Sequence, residues 1–419
     1  MTAPALLALL LVAAPVLSLD EAIATARTRR PSLAAARGLA DAAEASSREA
    51  RGALLPQLDL SGRYTIARDD PPGAGNTTTA DTLSGALSAD LLLWDFGRTS
   101  SRWRAARASA GAAERDADAA ARDVVLEVRL AYFGLLETTA LEEVARGTLA
   151  NQERHLAQTA EMVKAGTRAA IDLARLRTAA ASARAARVRA GNATRLARAR
   201  LDVAMGVPGR TAYQAVAPSL PALAAEAWSG DALFAEAVSG RPELAAQRAA
   251  VLAQEHSARA ARRALWPSLR LGAGADASGP WEAGFDPTLG TSVGLTLSWP
   301  IFDGLSSPAA ADAARARLSV ERARLADREQ GVWEQVEDAA AGVASARAEQ
   351  PAAEEALGAA RELLGLAEAR YREGVGTSLE LADAELELAS AAAERVRVEY
   401  DLAGARAQLL RALGRERWE

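Results

Sequence analysis

The sequence of 419 residues contains no cysteine, only two histidines and a single lysine, Lys164. Without cysteine the chain can form no disulfide, use no thiol nucleophile and offer no thiolate ligand to a metal. The histidines, His155 and His256, lie on predicted helices without metalloprotease or paired-histidine spacing, and we expect both to be surface residues. The composition therefore predicts a protein that is not an enzyme and that needs no metal and no cofactor.

The chain also lacks an excess of basic residues and long apolar runs. Its net charge of −5 argues against nucleic acid as a partner. Beyond the N-terminus no segment has 18 consecutive apolar residues, so no transmembrane helix is expected. The apolar run from Ala5 to Leu17 fits the hydrophobic region of a secretory signal peptide, or alternatively a buried N-terminal helix. We predict a signal peptide over residues 1–18, cleaved near Ser18/Leu19.

Residues Leu54 to Gly97 carry the most informative pattern in the chain. Pro56 ends a helix, because proline lacks an N–H group and disfavours helix at the residue before it. Apolar and polar residues then alternate over residues 57–67 and again over 82–93, which is typical of strands with one apolar and one polar face. The segment between them, Asp69 to Asp81, is rich in turn residues, so the pattern predicts a β-hairpin between helices.

The same unit occurs twice, as repeats over residues 19–217 and 218–419. Arg30-Pro31-Ser32-Leu33 matches Arg241-Pro242-Glu243-Leu244, and a second hairpin is predicted with strands at 268–278 and 291–299. Each repeat also contains a long and a shorter helix, predicted at 99–164, 170–205, 307–372 and 379–413. Apolar residues seven apart indicate coiled-coil seams, although an ordinary long helical bundle fits the pattern equally well.

Each strand has about ten residues, the length of a tilted membrane-spanning β-strand. The charged residues of the four strands all fall on the polar side, as expected for side chains facing a lumen: Asp59, Arg63, Asp90, Arg270 and Asp276. Tryptophans at strand ends fit a membrane-interface girdle, or the core of a soluble protein: Trp94, Trp266 and Trp299.

Four strands cannot close a barrel, and open strand edges are not tolerated in lipid, so the protomer must oligomerise. Three copies would give twelve strands. The predicted fold class is therefore mainly α with a membrane β-barrel part, in which an internally duplicated long-helix coiled-coil barrel adds four strands per protomer to a 12-stranded barrel in a trimer.

Several stretches resemble the TolC-like family of outer-membrane efflux proteins. They occur in the same order in two copies, and the resemblance covers nearly the whole mature chain. They include "RPSLAAAR" and "RPELAAQR", "LLPQL" and "LWPSL", and "YREGVGTSLELADAE" at Tyr371 to Glu385. The resemblance implies a homotrimer in outer-membrane lipid with a helical barrel in the periplasm. It also implies an exit duct of a tripartite efflux pump or type I secretion system, whose partners are a periplasmic adaptor (membrane fusion) protein and an inner-membrane transporter. The chain departs from the family at Arg30 and Arg241, where asparagine is frequent, and at Leu305, where glycine is.

The resemblance further assigns roles to the turns between long and short helices. These turns would form the periplasmic tip that contacts the adaptor, through Gly166, Thr167, Asp172, Gly374, Val375, Gly376 and Thr377. Glu380 and Asp383 would form an acidic constriction at the periplasmic entrance, although they could equally be solvated helix charges. A soluble periplasmic coiled-coil adaptor and an envelope scaffold are the alternative functions.

Overall fold

The computed structural model describes residues 15–69, 78–209, 213–227, 229–281 and 286–418. The predicted signal peptide therefore lies outside the described residues, except for Pro15 to Ser18. Most of the predicted loop between the first two strands, residues 70–77, lies outside them as well.

The described residues form two sets of helices and strands that follow each other in the same order. The elements are β1 (Val16–Leu17), α1 (Leu19–Arg29), α2 (Pro31–Gly52), β2 (Gln57–Asp69), β3 (Thr78–Trp94), α3 (Arg98–Lys164), α4 (Ala170–Met205), β4 (Gln214–Ala215), α5 (Gly230–Gly240), α6 (Pro242–Arg262), β5 (Ser268–Pro280), β6 (Thr288–Ser298), α7 (Ser306–Arg372) and α8 (Ser378–Leu413). The long helices α3 and α7 have 67 residues each, and α4 and α8 have 36 each. Equal lengths are what a duplication predicts.

The chain forms two compact units, and each takes residues from both repeats. The first unit comprises the described residues within 1–35, 118–242 and 329–419, and the second comprises those within 36–117 and 243–328. The fold is thus not divided at the boundary between the repeats, because elements of one repeat pack against elements of the other.

The second unit contains one four-stranded antiparallel sheet in the order β2-β3-β5-β6. The two predicted hairpins are therefore not separate, since β3 of the first repeat pairs with β5 of the second. The first two strands are also longer than predicted, and the pairing of Asp69 with Thr78 takes both ends of the expected loop into the sheet. Backbone hydrogen bonding between the hairpins, which no local pattern reports, explains the first difference. The second arises within the first hairpin, where β2 and β3 continue to pair beyond the alternating residues.

Matching caps link the sheet to the two long helices. After β3, the Asp95 carboxylate accepts hydrogen bonds from the backbone N–H groups of Gly97 (3.0 Å) and Thr99 (2.7 Å). After β6, Asp303 accepts from the N–H of Ser307 at 3.0 Å. These carboxylates satisfy N–H groups that helix starts leave free. Leu305 has a φ of +67°, so it occupies a backbone conformation that normally favours glycine.

The core of the first unit is built on the middle of α3. Val125, Val128, Tyr132 and Leu135, spaced three and four apart, are all buried. This spacing places them on one face of the helix, as the sequence predicted. In α8, by contrast, the seven-residue seam starting at Leu379 begins on an exposed surface. Leu379 and Leu386 are exposed, whereas Tyr400, farther along the same seam, packs against the core of the first unit.

The described part of the segment between the repeats has regular secondary structure. It contains β4 and a 3-10 turn over Ala224–Ala227, and β4 pairs in parallel with β1. The Tyr132 hydroxyl lies 2.7 Å from the carbonyl oxygen of Leu17 and accepts a hydrogen bond from the N–H of Val216 at 3.1 Å. Ser18 caps α1 in a capping box with Glu21. Val16 to Ser18 are therefore part of the folded first unit.

The two arginines that depart from the family pattern fill equivalent places in the first unit. Arg30 donates to the Val203 carbonyl at the end of α4, and to both carboxylate oxygens of Glu127 at 2.8 Å. Arg241 donates to the Ala412 carbonyl near the end of α8 at 2.5 Å. Each guanidinium thus binds a carbonyl in the last turn of a helix, where carbonyls lack intrahelical partners. The Val203 carbonyl also accepts a hydrogen bond from the N–H of Gly206 at 3.0 Å.

Candidate channel surfaces

The sheet of the second unit has one charged face and one apolar face. Residues paired across antiparallel strands point to the same side, and the register pairs Asp59 with Ser88, Arg63 with Ser84, and Gln57 with Asp90. The next pairs set Leu92 beside Arg270 and Ala86 beside Asp276. All five predicted lumen charges therefore share one face: Asp59, Arg63, Asp90, Arg270 and Asp276.

The opposite face of the sheet is apolar, apart from Arg68 near the end of β2 and Asp81 near the start of β3, and much of it is uncovered within the chain. Leu60 pairs with Leu87, and Leu271 pairs with Leu295. Leu60 is 83% exposed and Val293 is 79% exposed. A contiguous apolar sheet face left open to this extent indicates a surface that another apolar phase covers.

A β-bulge at the end of β3 changes the direction of one predicted girdle residue. The register shifts between Leu92 and Trp94, and Trp94 then pairs with Leu269. Strict alternation places Leu93 on the apolar side and Trp94 on the polar side, whereas the bulge sets Trp94 opposite an apolar-face residue. The extra residue of the bulge thus breaks the simple alternation at the end of β3.

The three predicted girdle tryptophans lie at one end of the sheet. Trp94 ends β3, Trp266 precedes β5 and Trp299 follows β6, and all three are exposed. Phe96 contacts both Trp94 and Trp266, with ring centroids 5.7 and 4.6 Å apart in edge-to-face geometry. The arrangement gives this end of the sheet a belt of amphipathic rings.

A fourth tryptophan, Trp281, follows Pro280 at the opposite end of β5 and is also exposed. The sequence interpretation missed it because it lies beyond the predicted strand end. A proline–tryptophan pair directly after a run of alternating residues was the signal that could have found it.

In the first unit, the two turns predicted to form the periplasmic tip are in contact. Gly166 and Gly374 adopt left-handed conformations, with φ of +77° and +85°. The Arg168 guanidinium donates to the carbonyls of Tyr371 (2.7 Å) and Gly376 (3.2 Å), and it stacks 4.2 Å from the Tyr371 ring centroid. Arg168 therefore ties one turn to the other, a role that the sequence interpretation did not assign.

A second bond joins the first turns of the two short helices. The Ser378 hydroxyl donates to the Asp172 carboxylate at 2.5 Å. Of the other predicted tip residues, Gly376 is buried, whereas Val375 and Thr377 are exposed.

The predicted entrance carboxylates, Glu380 and Asp383, lie three residues apart in the first two turns of α8, and both are exposed. Glu380 also closes a capping box with Thr377 and lies 3.6 Å from the Arg370 guanidinium. The exposed ion pair contributes little stability. Its carboxylate thus has a local structural role, whereas Asp383 has none among the contacts that the structure records.

Five residues beyond Glu380, α8 carries a buried polar cluster, and it corrects the expectation for His155. That histidine was predicted at the surface, yet its side chain is buried, with Nε2 lying 3.1 Å from Glu385 Oε1 and 3.3 Å from Glu368 Oε1. Gln152 donates to the other carboxylate oxygen of Glu385. The polar partners come from α7 and α8, so the sequence near His155 gave no indication of them.

The described residues contain no group of three or more histidine, aspartate or glutamate side chains arranged to hold a metal ion. Nor does any helix within the described ranges combine the length and the apolar character needed to cross a bilayer.

The fold and these surfaces define an outer-membrane channel type of protein, and sequence comparison gives the family. The chain belongs to the outer membrane efflux protein family, which it matches over residues 22–207 and 233–415. The resemblance to TolC-like proteins is thereby confirmed. The chain is an outer-membrane protein with its helical part in the periplasm.

Individual relatives agree with this assignment. Nodulation protein T of Rhizobium leguminosarum bv. trifolii is 25% identical over 378 residues, which cover 89% of this chain and 80% of the relative. Outer membrane efflux protein BepC of Brucella suis biovar 1 is 27% identical over 384 residues, covering 87% and 78%. The CmeC outer membrane channel of Campylobacter jejuni shares the fold, with a TM-score of 0.83, 17% identity and coverage of 94% and 85%. Relatives of this kind are channel and efflux proteins rather than enzymes.

Proposed function

We propose that this protein is the outer-membrane exit duct of a tripartite efflux pump or type I secretion system and works as a homotrimer with a 12-stranded barrel. The observation that carries the proposal is the four-stranded sheet with one exposed apolar face and one charged face. In a soluble adaptor or an envelope scaffold, an uncovered apolar sheet face would be exposed to water, which is unfavourable.

The edges of the sheet require partner chains. In the order β2-β3-β5-β6, the outer strands β2 and β6 each have one neighbour within the chain. Unpaired backbone groups cannot remain in lipid, so β6 of one protomer pairs with β2 of the next until the ring closes. Three protomers supply twelve strands, with the charged faces lining an aqueous lumen and the apolar faces contacting lipid.

At the periplasmic end, the turns after α3 and α7 form the tip that receives the adaptor. Three copies of Glu380 and Asp383 then bring six carboxylates together at the entrance. Such a ring attracts cations and raises the barrier to anions. The adaptor connects this end to an inner-membrane transporter, which supplies the substrate.

The mass of the detergent-extracted protein tests the trimer directly. Light scattering is expected to give about 131 kDa for three chains of 43.6 kDa, less any cleaved leader. A detergent-independent monomer or dimer would refute the barrel.

Because the chain has no cysteine, introduced cysteines can report the edge pairing without background. In a variant with one cysteine in β2 and one in β6, we expect disulfides to form only between chains, which gives a ladder that ends at three. The matched control places the second cysteine in β5, which is not an edge strand. Crosslinking that extends beyond three chains would exclude a closed trimer.

Conductance in planar bilayers tests the entrance. E380Q keeps the capping box, because glutamine serves at this position as glutamate does, and D383N removes the second charge. The double variant is expected to lose cation selectivity with an unchanged trimer mass. Glu387 is an exposed residue of α8 outside the proposed ring, so E387Q is the control that should conduct as the natural protein does.

A further inference from the structure

The buried cluster of Gln152, His155, Glu368 and Glu385 has a composition that packing alone does not explain. It lies in the first unit, on α3, α7 and α8, where Gln152, His155 and Glu385 are each less than a tenth exposed. Two carboxylate oxygens converge on the single Nε2 atom of His155, at 3.1 and 3.3 Å. One N–H group cannot satisfy both oxygens, so the hydrogen bonding within the cluster depends on how many protons it holds.

The groups that face the cluster come from each helix packed around it. From α3 come His155 and the nearby positive charge of Arg154, and from α7 comes Glu368. On α4, Arg189 lines the same groove as Gln152 and Glu385. No lysine or arginine forms an ion pair with the Glu385 carboxylate among the described contacts. The cluster is therefore an acidic pair that lies against one imidazole and accepts a hydrogen bond from one amide.

The cluster is joined to the helix end that carries the tip turns. Glu385 follows Glu380 by five residues, about 7.5 Å along α8. Between them, Leu381 packs with Tyr371 in a small apolar core. The Tyr371 hydroxyl lies 2.9 Å from Thr159 Oγ1, and the Tyr371 ring carries the Arg168 guanidinium. A change in how α8 packs at the cluster must therefore also alter the packing of the tip turns.

We propose that this cluster is a proton-controlled contact, which holds the start of α8 firmly against α3 and α7 when Glu385 is protonated and loosens when Glu385 ionises. The consequence for a channel entrance rests on the proposed function, whereas the proton-controlled packing itself does not.

The titration of Glu385 sets the direction. Burial, followed by the nearby Glu368 carboxylate, raises the pKa of Glu385 from 4.5 to about 7. A group whose pKa is higher in the packed state stabilises that state fully below pH 4.5, and this contribution is lost as the pH rises through 7. With an ordinary pKa in the opened state, the opening equilibrium increases about tenfold between pH 6 and pH 8 from Glu385 alone.

His155 acts in the opposite direction. Burial lowers the pKa of His155 below 6.5, outweighing the neighbouring Glu368. The packed contact therefore loses stability as the pH falls, because the buried imidazole resists protonation. The natural protein is expected to show only a shallow rise in opening from pH 6 to pH 8, since the two groups oppose each other.

Hydrogen exchange of the detergent-extracted protein tests this with variants of opposite sign. Peptides from Ser378 to Leu388 are followed at pH 6 and pH 8, with labelling times scaled to equal intrinsic exchange. H155Q should show the full increase of about tenfold, because the opposing imidazole has been removed. E385Q, which mimics the protonated carboxyl, should reverse the sign and open more at pH 6. The surface control E387Q should behave as the natural protein does.

A second measurement keeps the proposal testable if a variant folds poorly. Infrared difference spectra should show a protonated-carboxyl band that titrates near pH 7 in the natural protein and in H155Q, and that is absent in E385Q. No such band, or an E385Q variant with the pH dependence of E387Q, overturns the proposal. If hydrogen exchange shows the expected pH dependence but the protein does not conduct, only the proposed channel function is refuted.

Discussion

Placing an arginine on each face of β6 tests the membrane assignment of the sheet most directly. Ser292 and Val293 are consecutive residues at the centre of β6 (Thr288–Ser298), and both are exposed within the chain. Their side chains point to opposite faces, because Ser292 pairs with Gly274 on the charged face and Val293 pairs with Ala273 on the apolar face. S292R and V293R therefore differ only in which face receives the charge.

The expected difference is large. An arginine on the lipid side at mid-bilayer costs about 2–4 kcal/mol. Three protomers make this about 6–12 kcal/mol for a trimer containing V293R. In the lumen, S292R adds a charge to a face that already carries Asp276 on the neighbouring strand. If the sheet were merely a soluble surface, both substitutions would change stability by no more than about 0.5 kcal/mol.

The assay is the amount of folded trimer in outer membranes, separated by density gradient and resolved on a native gel in mild detergent. S292R should accumulate close to the level of the natural protein, whereas V293R should be missing from the outer-membrane fraction. Equal assembly of the two variants would refute the membrane assignment of this face. Loss of S292R with normal V293R would mean that the two faces have been exchanged.

Three further predictions concern the helical unit. R168A should speed hydrogen exchange in residues 374–378, because it removes two hydrogen bonds and the stack on Tyr371, together worth about 2–3 kcal/mol; unchanged exchange would show that Arg168 does not hold the turns. G414A should lower the free energy of unfolding by more than about 2 kcal/mol, seen as a lower thermal unfolding temperature, since φ is +75° and an added Cβ would lie 2.7 Å from a backbone oxygen. By contrast, Gly358 lies in open space within α7, so G358A should raise the free energy of unfolding by about 0.5–1 kcal/mol. The contacts of Val16 to Ser18 favour cleavage of the signal peptide upstream of Val16. An intact-protein mass that corresponds to a chain starting at Leu19 would contradict this.

Local patterns in the sequence were sufficient to predict the long helices, the four strands of the sheet and much of the charged surface. Prolines, turn glycines and periodicity are properties of neighbouring residues, and they predicted α3 to begin within one residue of Arg98 and to end at Lys164. Alternation within each strand separated Asp59 and Arg63 from the leucines beside them. The duplication added a second, independent copy of every signal, which is why the family resemblance emerged from weak motifs.

Tertiary structure alone decided which elements meet. The pairing of β3 with β5 joins strands of different repeats, and backbone hydrogen bonds of this kind carry no side-chain signature in sequence. The bulge before Trp94 depends on that same pairing. His155 lies buried because carboxylates from α7 and α8, more than two hundred residues away, converge on its Nε2 atom. Periodicity shows which face of a helix is apolar, but it does not show which distant polar group will be desolvated there.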